Sequence, residues 1–335
     1  SIQTWPNRPE VMKGEQWITV GNARNQYAEG STDWMKSGEL ANYNAGTETN
    51  WLDQVTRIGV SQDYQLSVSG ANKGINYYLS TAYNNSKGVV IGDDFDRISV
   101  LGKINADITS WLKVGVDGSF SRRNYPGILA NVANAQTMTP YGVMYRDDQG
   151  NLEKYPQTQS NINPLWGVDD GTVDKLDVRH NYRLNTFVSI DIPWIKGLNY
   201  RMSYQLNSDQ NQSGIFYHES YYIAEGEGLA RYSPGTVQSL LTKANGVLNS
   251  NSDYSYVWDN ILSYKKSFGK HNLEGTLVAT RDDMKYRITY ITGSDFSANG
   301  NTSLGIWGLH KATTQKVDLY VNNKDINDSQ IGGVE

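Results

Sequence analysis

Between residues 63 and 281 apolar and polar side chains alternate one residue at a time, in eight separate runs. In the first, Tyr64, Leu66 and Val68 alternate with Gln65, Ser67 and Ser69. In the second, Tyr77, Leu79, Thr81 and Tyr83 oppose Tyr78, Ser80, Ala82 and Asn84. The third sets Ile98, Val100, Gly102, Ile104, Ala106 and Ile108 against Arg97, Ser99, Lys103, Asn105 and Asp107, with Leu101 out of phase. Leu112, Val114, Val116 and Phe120 make the fourth apolar series, and His180 through Ile190 the fifth. Leu198–Leu206, Tyr254–Tyr264 (interrupted by Asn260) and Leu273–Ala279 complete the set. A period of two places successive side chains on opposite faces of an extended chain, so each run predicts a β-strand with one apolar and one polar face.

A soluble β-sandwich alternates in the same way, so the connections carry the distinction. Ala71–Gly74, Thr109-Ser110, Pro193–Gly197 and Ser267–Lys270 are short, whereas Asn85–Phe95 is intermediate and Asn124–Asp174 and Ser208–Asp253 are very long. Short and long alternate strictly, which puts all the short turns at one end of the sheet. Transmembrane barrels are built this way, and long loops without a helical pattern are rare in compact soluble domains. Each run also reaches the roughly 9–11 residues of a tilted crossing.

The predicted fold class is therefore all-β, part of a transmembrane antiparallel up-and-down β-barrel with its apolar face to outer-membrane lipid and its polar face to the lumen. Tyr64, Tyr83, Trp111, Tyr200 and Trp258 are expected in interfacial girdles. Residues 1–61 read as a lead-in, mostly loop with room for one short helix ending near Gly21. Residues 62–283 hold the eight strands, with long extracellular loops at about 124–174 and 208–253, and 284–335 read as a truncated outer loop.

Composition narrows the picture. Of 335 residues only 38% are hydrophobic and mean hydropathy is -0.58, yet there are 23 Tyr, 9 Trp and 32 Gly, a strand-and-turn composition. The net charge of -5 gives no basic footprint for nucleic acid. The chain has no Cys and shows no charged-then-apolar leader at Ser1-Ile2-Gln3-Thr4.

Catalytic spacing is not found. His180, His218, His271 and His310 are isolated, without paired-ligand spacing for zinc. The acid pairs Asp93-Asp94, Asp147-Asp148, Asp169-Asp170 and Asp282-Asp283 fit solvated turns, and Asp147-Asp148-Gln149-Gly150 reads as a hairpin tip. No phosphate loop or nucleophile elbow occurs. No catalytic residue, cofactor or metal is therefore expected. Candidate substrate contacts are the loop aromatics Tyr141, Tyr145, Trp166, Phe216, Tyr217, Tyr221, Tyr222 and Trp307, whose faces can stack on a sugar ring. Against that stands ordinary packing of loop against loop, or of loop against a partner.

Several stretches together resemble SusC/RagA-type TonB-dependent outer-membrane transporters. Asn50-Trp51-Leu52-Asp53-Gln54-Val55-Thr56-Arg57 leads into Gln62–Gly70, followed by Tyr77-Tyr78-Leu79-Ser80, Lys87-Gly88-Val89-Val90, Phe95-Asp96-Arg97 and Trp111-Leu112-Lys113-Val114-Gly115. Asn163-Pro164-Leu165, Ile195-Lys196-Gly197-Leu198 and Phe268-Gly269-Lys270-His271-Asn272-Leu273 follow in order. The resemblance implies a 22-stranded barrel around a plug, capped by a SusD-like lipoprotein and importing glycans or peptides with energy passed through TonB. With about eight strands, no plug and an ending at Gly332-Gly333-Val334-Glu335, the chain reads as roughly the first third of such a barrel, cut inside an outer loop. The rival from another class is a secreted carbohydrate-active β protein, either a glycan-binding module or a glycoside hydrolase. A self-contained eight-stranded barrel is the other alternative.

Overall fold

The computed structural model describes all residues except 158–160, 169, 223–243, 297–301, 324–327 and 335. Among the described residues eleven strands form one antiparallel sheet in which each pairs with the next in sequence. They are β1 (Ile2–Gln3), β2 (Gly59–Asn72), β3 (Ile75–Lys87), β4 (Asp94–Asp107), β5 (Leu112–Asn124), β6 (Val173–Asp191), β7 (Leu198–Tyr217), β8 (Asn245–Phe268), β9 (His271–Ser294), β10 (Thr314–Asn323) and β11 (Asp328–Val334). The eight runs read from the sequence are β2 to β9. The sheet is open, with β1 and β11 at its edges.

Register shows why the alternation is so regular. One row of partners runs Val68, Leu79, Gly102, Gly118, Leu184, Leu206 and Tyr256. The adjacent row on the opposite face runs Ser67, Ser80, Leu101, Ser119, Arg183, Asn207 and Ser255. A one-residue slip would exchange the two faces everywhere, so register is strongly specified. Asn260, which interrupts the apolar series of β8, accepts a hydrogen bond from the Tyr200 hydroxyl at 2.7 Å, so its amide oxygen is not left bare on the apolar face. Trp258 lies between Tyr254 and Tyr264, mid-way along the apolar stretch of β8 rather than at its edge.

The register also gives the tilt. Followed across the sheet, Asn72 at the first hairpin tip leads through Ile75, Ala106, Val114, Val188 and Met202 to Asn260, eight residues short of Phe268 at the last tip. If the four short turns lie in one plane, eight residues of roughly 3.3 Å over six strand spacings of roughly 4.8 Å tilt the strands on the order of 40°, the value of closed barrels. Gly197 makes one of these turns possible. Its φ is +92°, and a Cβ there would sit 1.9 Å from the Lys265 carbonyl oxygen.

Strands reach well into segments the pattern assigned to loops. β7 continues through Ser208 to Tyr217 and β8 begins at Asn245, inside the expected 208–253 loop. β6 begins at Val173, and the expected terminal loop contains the rest of β9, a 3-10 helix over Thr302–Lys311, β10 and β11. In Ser208–Ser213 and Asn249–Asp253 both faces are polar, so periodicity carries no signal there. These extensions are held by the backbone ladder instead.

The first 61 residues differ as well. β1 pairs with the start of β2, so residues 4–58 form a connection at the long-loop end, and it holds three helices. They are α1 (Gly14–Asn25), α2 (Ser37–Ala45) and α3 (Trp51–Val55). α1 and α2 end on left-handed residues, Gln26 and Gly46, and Asn50 caps α3 by accepting the Leu52 N–H. α1 carries polar residues around most of its circumference, which leaves little apolar stripe to read.

Two small cores lie at this end. Trp51, Leu52 and Val55 pack with Ala130, Ala135 and Met138 around α4 (Val132–Thr137), flanked by Val90, Ile91 and Leu165. The Trp51 Nε1–H donates to the Thr139 carbonyl at 2.7 Å. The second core joins Phe216, Ala244 and Phe296 to Ile306, Leu309 and Ala312. There the 3-10 helix lies close on the strands because Gly246 and Gly293 bring no side chain between them.

Candidate functional site

The loops at the long-loop end bring four of the candidate aromatics together. Tyr217 closes β7, and Tyr221 and Tyr222 follow on α5 (Glu219–Tyr222). Their rings lie within 4.8 Å (Tyr217–Tyr221), 5.3 Å (Tyr221–Tyr222) and 6.2 Å (Tyr217–Tyr222) of one another. Trp166 enters from the preceding long connection and donates its Nε1–H to the Tyr221 carbonyl at 3.0 Å. From the same connection, Lys154 Nζ donates to the Tyr222 carbonyl at 2.6 Å and stands 5.7 Å from the Trp166 ring centre. Asn245 at the start of β8 donates to the Tyr222 hydroxyl at 2.7 Å. Two connections are thus clamped around half-buried rings by contacts spanning 55 and 68 residues of sequence. Burial raises the Tyr221 phenol above its ordinary value, with smaller contributions from Tyr217, Tyr222 and Asp170.

The remaining candidates lie elsewhere. Tyr141 is buried under α2, edge-on to Tyr43 at 5.2 Å, with its hydroxyl 3.4 Å from Glu48 Oε1. Burial first and Glu48 second push its phenol up. Phe216 is wholly buried against Phe296 in the second core. Tyr145 is exposed beside the Asp147–Gly150 turn, bridged to Leu152. Trp307 is exposed on the 3-10 helix. Lys154 is the member that sequence reasoning missed: a lone lysine in a polar loop carries no periodic signal, and only the fold shows it beneath Trp166.

One member of each of three acid pairs is engaged locally, whereas Asp283 Oδ1 is buried without a hydrogen-bond partner among the described residues. Asp147 accepts the N–H groups of Gln149 and Asn151 and the Asn151 amide, which holds its carboxyl below the ordinary value. Asp170 accepts from the Gly167 and Thr172 N–H groups and from the Thr172 hydroxyl, while Asp169 lies outside the described residues. Asp94 pairs with Arg57. His218 lies 3.0 Å from Asp174. Among the described residues no three His, Cys, Asp or Glu side chains converge as metal ligands.

No family model matches the chain. It is 23% identical over 271 residues to the TonB-dependent receptor P3 of Formosa agariphila, covering 74% of this chain and 25% of that protein. It is 24% identical over 176 residues to the TonB-dependent receptor SusC of Bacteroides thetaiotaomicron, covering 50% of this chain and 16% of that protein. Among solved structures it superposes on the RagAB peptide transporter with a TM-score of 0.64 at 18% identity, covering 93% of this chain and 37% of that one. The chain is similar in sequence and fold to the SusC/RagA-type TonB-dependent receptors. It is an outer-membrane protein, and its open antiparallel sheet matches part of such a receptor's barrel. The closed-closed state of the RagAB peptide importer gives a similar match, with a TM-score of 0.63. The chain spans about a quarter of the length of the first two curated relatives it matches.

Proposed function

We propose that this part of the receptor forms wall and outer face of an importer that passes a glycan or peptide across the outer membrane. In this reading the apolar face of β2–β9 contacts lipid, the long-loop end faces outward under a SusD-like lipoprotein lid, and TonB supplies energy through a plug region. The observation that carries it is the Trp166–Tyr217–Tyr221–Tyr222 cluster, positioned by Lys154 at the end where the long connections gather. Half-buried aromatic faces beside amide and ammonium groups suit a substrate of rings and hydroxyls, or of peptide planes. The three clustered tyrosines and Trp166 are the contacts we assign. Tyr141 belongs to loop packing, while Tyr145 and Trp307 stand apart from the cluster. The reading includes no bond cleavage: Asp94 is held in an ion pair, and Asp147 and Asp170 in turns.

The test uses cells carrying the whole receptor with its lipoprotein. Labelled oligosaccharides and peptides are supplied, and uptake is followed with mass spectrometry of the internalised compound. Uptake of one class in unaltered form, reduced severalfold by Tyr221→Ala, is the expected result. Unchanged uptake in that variant would remove the cluster from the substrate path, and a cleaved product from purified receptor would favour a carbohydrate-active protein.

A further inference from the structure

The polar face of the sheet carries two like-charge ladders side by side. Arg97, Arg123 and Arg179 are direct cross-strand partners on β4, β5 and β6. One row away, Asp209 and Asp253 are direct partners on β7 and β8. Like charges placed opposite each other destabilise a sheet, so neither ladder is explained by strand pairing. The ladders do not neutralise each other either. Arg179 reaches Asp177 on its own strand at 3.3 Å and lies 5.3 Å from the Tyr125 ring. Among the described residues Arg97 and Arg123 have no hydrogen-bond or ion-pair partner.

A second observation lies beside the first. The side-chain oxygens Asn211 Oδ1, Asn251 Oδ1 and Asp253 Oδ1 are buried and accept no hydrogen bond. Asn211 and Asn251 continue the arginine row on β7 and β8. Buried acceptors without donors are costly, by about 1–3 kcal/mol each, and such gaps point to a missing ligand or water. Arg123, Arg179, Asn181, Asp209, Asn251 and Asp253 line one groove of about 350 Å³. Its wall thus offers guanidinium donors on one side and bare acceptors on the other.

We propose that this groove binds an oligosaccharide bearing carboxylate or sulfate groups. Guanidinium forks match planar or tetrahedral oxyanions, and sugar hydroxyls supply the donors that Asn211, Asn251 and Asp253 lack. No large apolar side chain of the polar face lines the groove, which disfavours peptide side chains, since peptide sites normally include apolar pockets. The stripe lies at the long-loop edge of the apolar stretch, one residue beyond Ile98 on β4, where a substrate leaving the loops would meet the wall. The proposal rests on the importer reading above and narrows its substrate.

The experiment titrates the purified whole receptor, with its lipoprotein, with a short oligogalacturonate, a sulfated galacto-oligosaccharide and a neutral malto-oligosaccharide. One or both anionic probes should bind, more weakly as salt is raised. Arg123→Gln and Arg179→Gln should each weaken that binding about tenfold, with Arg123→Lys retaining part of it, because a lysine keeps the charge but not the fork. The comparison of the two anionic probes separates carboxylate from sulfate. Equal binding of the neutral probe, or anionic binding indifferent to Arg123→Gln, overturns the proposal. So does binding of an acidic peptide, but of neither anionic sugar, with the same arginine dependence. If no anionic sugar binds and both Gln variants lower the melting temperature, the stripe pairs with the receptor's own chain and the proposal falls. Uptake of neutral glycan in cells alongside any of these failures leaves the importer reading standing. Absence of all uptake removes both.

Discussion

Tyr64 on β2 is 60% exposed and Tyr141 in the long connection is 4% exposed. The same side chain thus has opposite surroundings in the wall and in the cap of loops and helices. Leu66, Leu79 and Leu277 on the wall are likewise open, at 72%, 51% and 71%, whereas Trp51, Leu52 and Val55 in the cap are closed off. Among the described residues the wall is one layer thick and has no protein on its apolar face over most of its length; in the proposed reading the bilayer takes the place of a core. The cap stands outside that band and must make its own core from Trp51, Met138 and their neighbours. An apolar residue is therefore arranged by period in the wall and by shape in the cap.

Substitutions test this contrast, beginning with the largest. Trp51→Ala should cost about 3–5 kcal/mol of cap stability, through a cavity and an unpaired Thr139 carbonyl. Protease added to intact cells should then cut residues 124–174 faster, while the strands stay protected. Equal loss of wall protection would mean that cap and wall fold as one unit. Val100→Arg in the full-length barrel should cost roughly 2–4 kcal/mol in a lipid-based unfolding titration if it lies near the midplane, and lumenal Asn105→Arg much less. Equal costs would break the assignment of the two faces.

Gly197→Ala tests the short-turn end. A Cβ there meets the Lys265 carbonyl in a left-handed backbone, so about 1–3 kcal/mol should be lost, seen as a lowered unfolding midpoint. Gly150→Ala in the exposed tip of the cap, with nothing near its Cβ, should cost less. Tyr222→Phe removes the hydrogen bond from Asn245 and should cost about 1 kcal/mol, read by hydrogen exchange at the start of β8. The smallest effect concerns pH. The folded carboxyl of Asp147 is held below its ordinary value of 3.8, chiefly by Asn151. Its contribution to the hairpin tip is present above that ordinary value and lost as pH falls through the depressed one. Asp147→Asn should flatten this acid dependence of local exchange without changing the wall.

The sequence by itself determined eight strands, each with an apolar and a polar face, and the strict alternation of short and long connections. Periodic burial against a uniform solvent repeats every two residues, as in Tyr200–Leu206 on β7, so a local pattern suffices. It also supplied the aromatic candidates, but not which of them meet. Trp166 touches Tyr221, and Lys154 touches Tyr222, across 55 and 68 residues respectively. The polar strand extensions beyond Leu206 and before Tyr254, the helices within residues 4–58, and the adjacency of Arg97, Arg123 and Arg179 were likewise decided by tertiary structure. Outside the bilayer no single medium imposes a period. There, hydrogen-bond ladders, register and packing between distant segments decide what a side chain meets, and none of these is written in its immediate neighbours.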